Sequence, residues 1–303
     1  MRTAARPTQE SGFTLVLTLV VLVLLVVSVA GLARRSVEAA MEARHARDSL
    51  QSRWALVSLR HTLRDALPRR LEEEFAQAVS DWEGEGGDPP FDGRRRTIDA
   101  VLSLGGTDIA LHLADEQAKV EVNALLREEG SDGARRRIER LIEDAWDRPR
   151  VRLTPHPLDF QRQTGLPPLS GYAQVFEAFE RPALGEFERS ALHYLAVSSN
   201  GQLRLQLAAD EALRARLEGV LRRETLELLG ERRSEYPAAS VDELVRSVPM
   251  SSEERIEVRR RLTDRSSAYA LWLETHRGER RDLYLTVWRF DERPGDRQRT
   301  LRW

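Results

Sequence analysis

Hydrophobic positions change their period along this chain, and the changes mark its organisation. Phe13 to Ala33 is 21 residues without a charge, mostly Leu and Val. At about 1.5 Å per residue, a helix of that length covers the roughly 30 Å hydrocarbon core of a bilayer. A secretory signal would be shorter and would end at a small-residue cleavage site. Here the run passes into Arg34 and Arg35 and on into a polar helical pattern. The reading is a single membrane span at 13–33, preceded by a short leader, 1–12, and continued as one helix over 34–83.

Beyond the span, Leu50, Trp54 and Val57 share one helical face. Leu59, Leu63, Leu67, Leu71, Phe75 and Val79 recur every four residues, the spacing of a core-facing stripe. Pro68 is expected to kink this helix or to start a new one. Gly84–Gly93 reads as a loop. The period then becomes two. Ile98, Ala100, Leu102 and Leu104 alternate, Gly105-Gly106 signals a hairpin turn, and Ile109, Leu111 and Leu113 alternate again. Val120 and Val122 suggest a third strand, completing an antiparallel meander over 94–125, with His112 facing solvent.

Residues 126–264 are mainly helical in pattern. Ala134–Trp146 is amphipathic, Pro149–Pro168 is a proline-rich connection, and short helices are expected over Tyr172–Leu195. Leu203, Leu205 and Leu207 suggest a brief strand, and Asp210–Leu229 a single long helix. Ser240/Glu243 and Ser251/Glu254 have the S-x-x-E spacing that opens a helix, which predicts two short helices meeting near Pro249. Alternation returns at 265–303, with a turn at Arg277-Gly278-Glu279, another at Asp291–Gly295, and an edge strand or tail at Thr300–Trp303. The fold class is therefore α+β: a transmembrane helix continuing into a helix packed on an antiparallel sheet, with a large helical insertion.

Composition removes several function classes. The chain has 303 residues, 47 basic against 49 acidic, for a net charge of −2. That balance argues against nucleic-acid binding through bulk positive charge. With no cysteine, thiolate metal sites, disulfides and a cysteine nucleophile are excluded. The six histidines form no metal-protease spacing, and no nucleophile elbow, P-loop or dinucleotide fingerprint occurs. Nothing in the pattern advocates an enzyme. An Asp115/Glu116 catalytic pair is disfavoured, since adjacent strand residues point to opposite faces. Arg34, Arg35, Arg44 and Arg47 lie just past the span, so a simple charge count does not set its orientation.

The junction Glu10-Ser11-Gly12-Phe13-Thr14-Leu15 resembles the N-terminus of type IV pilins and pseudopilins. The resemblance implies cleavage after Gly12 by a prepilin peptidase, methylation of Phe13, a cytoplasmic leader and a periplasmic body held in the inner membrane. Most of that family carries Glu at the fifth mature position. Leu17 stands there instead, a habit of the K-type minor pseudopilin of type II secretion. The stretch Asp115-Glu116-Gln117-Ala118-Lys119-Val120-Glu121-Val122-Asn123 resembles that family's "DE-x-G-[KR]-[IL]-N-[IVL]-N" motif, with Ala118 and Glu121 departing from it. Ser240–Leu244 resembles an element of the family's helical insertion, and Ser266–Tyr269 its closing hairpin. A second family motif, "N-[IVL]-N-T-A", is degraded here to Arg204-Leu205-Gln206-Leu207-Ala208-Ala209, with both asparagines gone.

The resemblance implies a pseudopilus tip subunit that starts assembly. Its partners would be other minor pseudopilins, the major pseudopilin and the inner-membrane assembly platform, with contacts through Leu50, Trp54 and Val57. It implies no cofactor beyond calcium, for which the sequence shows no ligand set. A minor pilin of a type IV pilus or DNA-uptake filament stays open at this stage, as does a signal-anchored periplasmic protein of other function.

Overall fold

The computed structural model describes residues 10–85, 97–104, 107–145, 169, 171–172, 175, 193–277, 280–290 and 298–302. The expected Pro149–Pro168 connection, the Asp291–Gly295 turn and the hairpin residues 105–106 and 278–279 lie outside this set, as do most of the Gly84–Gly93 loop and of the expected short helices at 172–195. By its internal contacts the chain falls into two units, residues 1–57 and 58–303.

Helix α1 runs Glu10–Glu85 as one 76-residue element. Of the two expectations at Pro68, the start of a new helix is corrected, since Pro68 lies inside the one helix and is buried. A mid-helix proline costs about 3 kcal/mol. Burial of Leu71, Phe75, Ala78 and Val79 on the next turns outweighs it. The four-residue leucine stripe is thus core at its C-terminal end, while Leu59, Leu63 and Leu67 are half-buried.

Within residues 58–303, β1 (Thr97–Leu104) and β2 (Thr107–Asp115) form a hairpin in continuous register from Thr97↔Ala114 to Leu104↔Thr107. The expected third strand of the meander is not there. Asp115 accepts from the Gln117 backbone N–H and caps a 3-10 turn over Glu116–Ala118, which turns the chain out of the sheet. The next strand, β3 (Val120–Glu121), is only two residues long and pairs in parallel with β4 (Leu195–Ala196). The neighbour of β2 comes instead from far along the chain. It is β7 (Ala268–Arg277), with β8 (Arg280–Arg289) and β9 (Gln298–Arg302) beyond it, in the antiparallel order β1-β2-β7-β8-β9.

Between β2 and β7 the described residues are mostly helical. Helix α2 (Val122–Ala145) is broken at Gly130, whose φ of 69° lies in the left-handed region that favours glycine. The expected strand at Leu203–Leu207 reduces to β5 (Leu203–Arg204), parallel to β6 (Leu262–Thr263). The single helix expected over Asp210–Leu229 is two, α3 (Asp210–Leu217) and α4 (Arg223–Glu235). Gly219, with φ 79°, turns the chain between them. Helices α5 (Val241–Ser247) and α6 (Ser252–Arg261) each open on a complete capping box, at Ser240/Glu243 and Ser251/Glu254.

Both faces of the central strands are covered. One face carries Ala270, Trp272, Leu285 and Val287, and shares a core with Leu125, Ile138, Leu213, Leu217, Val245 and Val258 of the helical region. On the other, Ile109, Leu111, Leu113, Leu271, Leu273 and Trp288 are buried on the side where Tyr269 reaches Glu72 of α1. This double covering corrects the placement of His112 in solvent. The ring lies 2% exposed on the helical face, with Nδ1 2.7 Å from Asp99 Oδ1.

Candidate functional site

The residues that the sequence marks for processing and assembly lie on the first part of α1. Gly12 and Phe13 fall inside the helix, and every large apolar side chain from Phe13 to Leu32 is exposed. A window of this segment has mean hydropathy 3.1 and no burial, so it is long and apolar enough to cross a membrane. Its hydroxyls bond locally. Thr18 donates to the Thr14 and Leu15 carbonyls (both 2.9 Å) and Ser28 to the Leu24 carbonyl (2.7 Å). Such internal satisfaction is what a helix in hydrocarbon requires. Leu17 is exposed on this segment. Past it, Arg34 pairs with Glu38 one turn on. Leu50 and Trp54 are exposed, Trp54 at 64%, and Val57 is half-buried.

The motif at 115–123 is brought together in buried hydrogen-bonded networks. Asn123 Nδ2 donates to the Leu169 and Val197 carbonyls, and its Oδ1 accepts from the Leu169 N–H (2.8 Å). Glu121 accepts from the Ala124 N–H and so caps α2. Burial pushes the Glu121 carboxyl up to about 7, against the hydrogen bonds and the Arg127 charge that favour its ionised form. Lys119, the sole lysine of the chain, is buried against Glu116 (2.6 Å), whose other oxygen accepts from Tyr172 Oη (3.2 Å). Asp115 and Glu116 diverge to separate networks, Asp115 towards Ser266 and Arg204 and Glu116 towards Lys119 and Tyr172.

A buried polar centre that sequence reasoning missed forms around Arg204. Its Nη2 donates to Glu72 Oε2 (2.7 Å), its Nη1 to Glu72 Oε1, and Nη1 lies 3.4 Å from Asp115 Oδ2. Ser266 donates to Asp115, and Tyr269 Oη to Glu72 (3.1 Å). Burial raises the Asp115 carboxyl above its ordinary range despite the Arg204 charge. The same burial works against the charge of Arg204, but Glu72 and Asp115 outweigh it and hold its pKa up. The centre ties α1 to β2, β5 and β7. Arg204 lies on β5 among alternating leucines. Gln206 donates to Asp264 Oδ1 (3.0 Å) and the Ala239 carbonyl (3.1 Å). The one signal in the sequence was a charge among alternating leucines.

Among the described residues, no group of three or more His, Asp or Glu side chains is placed to hold a metal ion, so no calcium ligand set is assigned.

No protein-family model matches the chain, and no curated protein does. Among solved structures it is similar to a chain in the crystal structure of the GspK-GspI-GspJ complex from the type 2 secretion system of enterotoxigenic Escherichia coli. That similarity covers 86% of this chain and 98% of the other, at 13% identity and a TM-score of 0.46.

Proposed function

We propose that this chain is a minor pseudopilin of a type II secretion system, held in the inner membrane by α1 until the assembly platform extracts it. It takes the tip of the periplasmic pseudopilus and starts its assembly with the other minor pseudopilins, below which the major pseudopilin is added. Its leader is cytoplasmic, its body periplasmic, and it makes or breaks no covalent bond itself. One observation carries the reading. A wholly exposed apolar stretch starts at the Gly12–Phe13 junction, and the same helix continues into a segment packed among antiparallel strands.

Leu17 supports the tip position. A buried carboxylate in lipid is costly unless paired, and in a filament the Glu at this position neutralises a neighbour's free N-terminus. Without it, a subunit fits where no such neighbour lies ahead. The helical region between β2 and β7 adds bulk that a repeating lattice would have to accommodate.

Processing is the direct test. The mature wild-type chain should begin at Phe13 by N-terminal sequencing. Gly12→Val should leave a precursor about 12 residues heavier when the prepilin peptidase is present, since a β-branched side chain blocks close backbone approach. An intact leader on wild-type protein, or a cut elsewhere, overturns the proposal.

A further inference from the structure

Helices α4 and α5 are joined by a short connection, Tyr236–Ser240. Pro237 cannot extend α4, and the Ala239 N–H closes a turn on the Tyr236 carbonyl (3.0 Å). The Tyr236 side chain is left 55% exposed, the one exposed aromatic among the described residues of 58–303. With the half-buried Trp82 of α1 it borders a notch of about 790 Å³. Pro237 and Leu244, both buried, also line it. That volume has room for a short stretch of polypeptide.

The charge lining this notch is of one sign. Glu235 and Glu243 line it, and its described residues include no Arg, Lys or His. The Ser240 N–H and hydroxyl both donate to Glu243 Oε2 (2.7 and 2.8 Å). These bonds hold the Glu243 carboxyl below its ordinary range, so it is ionised at neutral pH. Arg232 pairs with Glu235 Oε2 (2.7 Å), an exposed contact of the kind that is cheap to exchange. Arg246, whose charge also acts on Glu243, donates to the Asp242 carbonyl (3.1 Å). Among the described residues, Oε1 of Glu235 and Oε1 of Glu243 make no bond.

We infer that this notch receives an arginine side chain, carried between apolar neighbours on a partner polypeptide. Three features choose that occupant. Carboxylates without a lining cation call for a positive partner. The rings of Trp82 and Tyr236 attract a cation over their faces, and a planar guanidinium stacks there where an ammonium does not. The open carboxylate oxygens suit the fixed fork of guanidinium N–H donors. Pro237 and Leu244 then meet the apolar neighbours, which a bare ion could not supply. The inference does not rest on the pseudopilin reading, and its failure leaves that reading intact.

The probe is the blocked peptide acetyl-Leu-Arg-Leu-amide, titrated into the full chain in detergent by isothermal titration calorimetry and corrected against detergent alone. It should bind about tenfold more tightly than its Gln analogue, with the Lys analogue weaker than the Arg peptide. Glu243→Gln keeps the capping box, which accepts Gln in place of Glu, and should weaken binding about tenfold. Tyr236→Ala removes an exposed side chain, leaves the core intact and should also weaken binding. Glu254→Gln makes the same change at the other capping box, outside the notch, and should bind as wild type. Absent binding, or equal binding of the Arg and Gln peptides, overturns the inference. A Lys peptide that binds as tightly overturns arginine as the occupant. Unchanged affinity in Glu243→Gln and Tyr236→Ala moves the binding elsewhere, and an equal loss in Glu254→Gln reduces it to net charge; either result overturns the notch as the site.

Discussion

Replacing Arg204 with methionine should destabilise the body of the protein more than any exposed ion pair could. Arg204 is 3% exposed, and the long apolar replacement keeps its packing near Phe75, whose ring centroid lies 5.6 Å from the guanidinium carbon. The loss is the charge between Glu72 and Asp115. These two partners differ. The Glu72 side chain is 43% exposed and can be rehydrated, so its loss costs about 1 kcal/mol at most. Asp115 is fully buried and keeps only Ser266 and the Gln117 N–H. Removing one partner of a buried pair costs about 3–5 kcal/mol. For a unit of this size that is a fall in melting temperature of roughly 6–20 °C. Glu72→Gln should cost about 1 kcal/mol, which fixes the order of the two variants. The pH dependence has a definite sign. The Asp115 pKa is already raised in the folded state, and loss of Arg204 raises it further. A carboxyl with a raised folded pKa favours folding as pH falls towards its unfolded value of 3.8. The deficit of Arg204→Met should therefore be smaller at pH 5 than at pH 8. Thermal and urea unfolding of the full chain in detergent, monitored by circular dichroism, reads both effects. A variant within about 0.5 kcal/mol of wild type at pH 8, or one whose deficit grows on acidification, would refute the reasoning.

Three further outcomes are expected. Glu121 has a folded pKa of about 7 against 4.5, so its ionisation costs stability as pH rises through that window. Glu121→Gln retains the acceptor for the Ala124 N–H and should flatten the pH profile of unfolding, with a gain of up to about 3 kcal/mol at pH 8; an unchanged slope would contradict this. Trp54→Asp should weaken co-purification with other minor subunits by several kcal/mol, because a carboxylate is left unpaired in an apolar contact, while the melting temperature stays unchanged since Trp54 is exposed; full retention of the complex would remove Trp54 from the interface. Leu17→Glu tests what confines the subunit to a filament end: labelled variant found at intervals along sheared filaments would assign that role to Leu17, and variant still found at one end only would assign it to the bulk of the helical region.

Local rules made much of this chain legible from its letters. The apolar helical stretch at 13–33, long enough to cross a membrane, was legible as an unbroken apolar run, and the β1–β2 hairpin as period-two alternation around Gly105-Gly106. Both capping boxes came from S-x-x-E, because each of these depends on residues within a turn or two of each other. Tertiary structure decided the rest. Val120 and Val122 alternate like a strand, yet a 3-10 turn capped by Asp115 removed them from the sheet, and β7 took their place from some 150 residues away. Alternation states which residues want burial, not which strand will cover them. His112 sits at a polar position of its strand, but a second layer of helices over that face buried it. Pro68 obeyed its helix-breaking tendency less than the burial of the turns after it. The Arg204 centre was the least visible feature, since Glu72, Asp115, Arg204, Ser266 and Tyr269 lie on separate elements. A charge placed among leucines announces that it needs a partner, and only the fold supplies one.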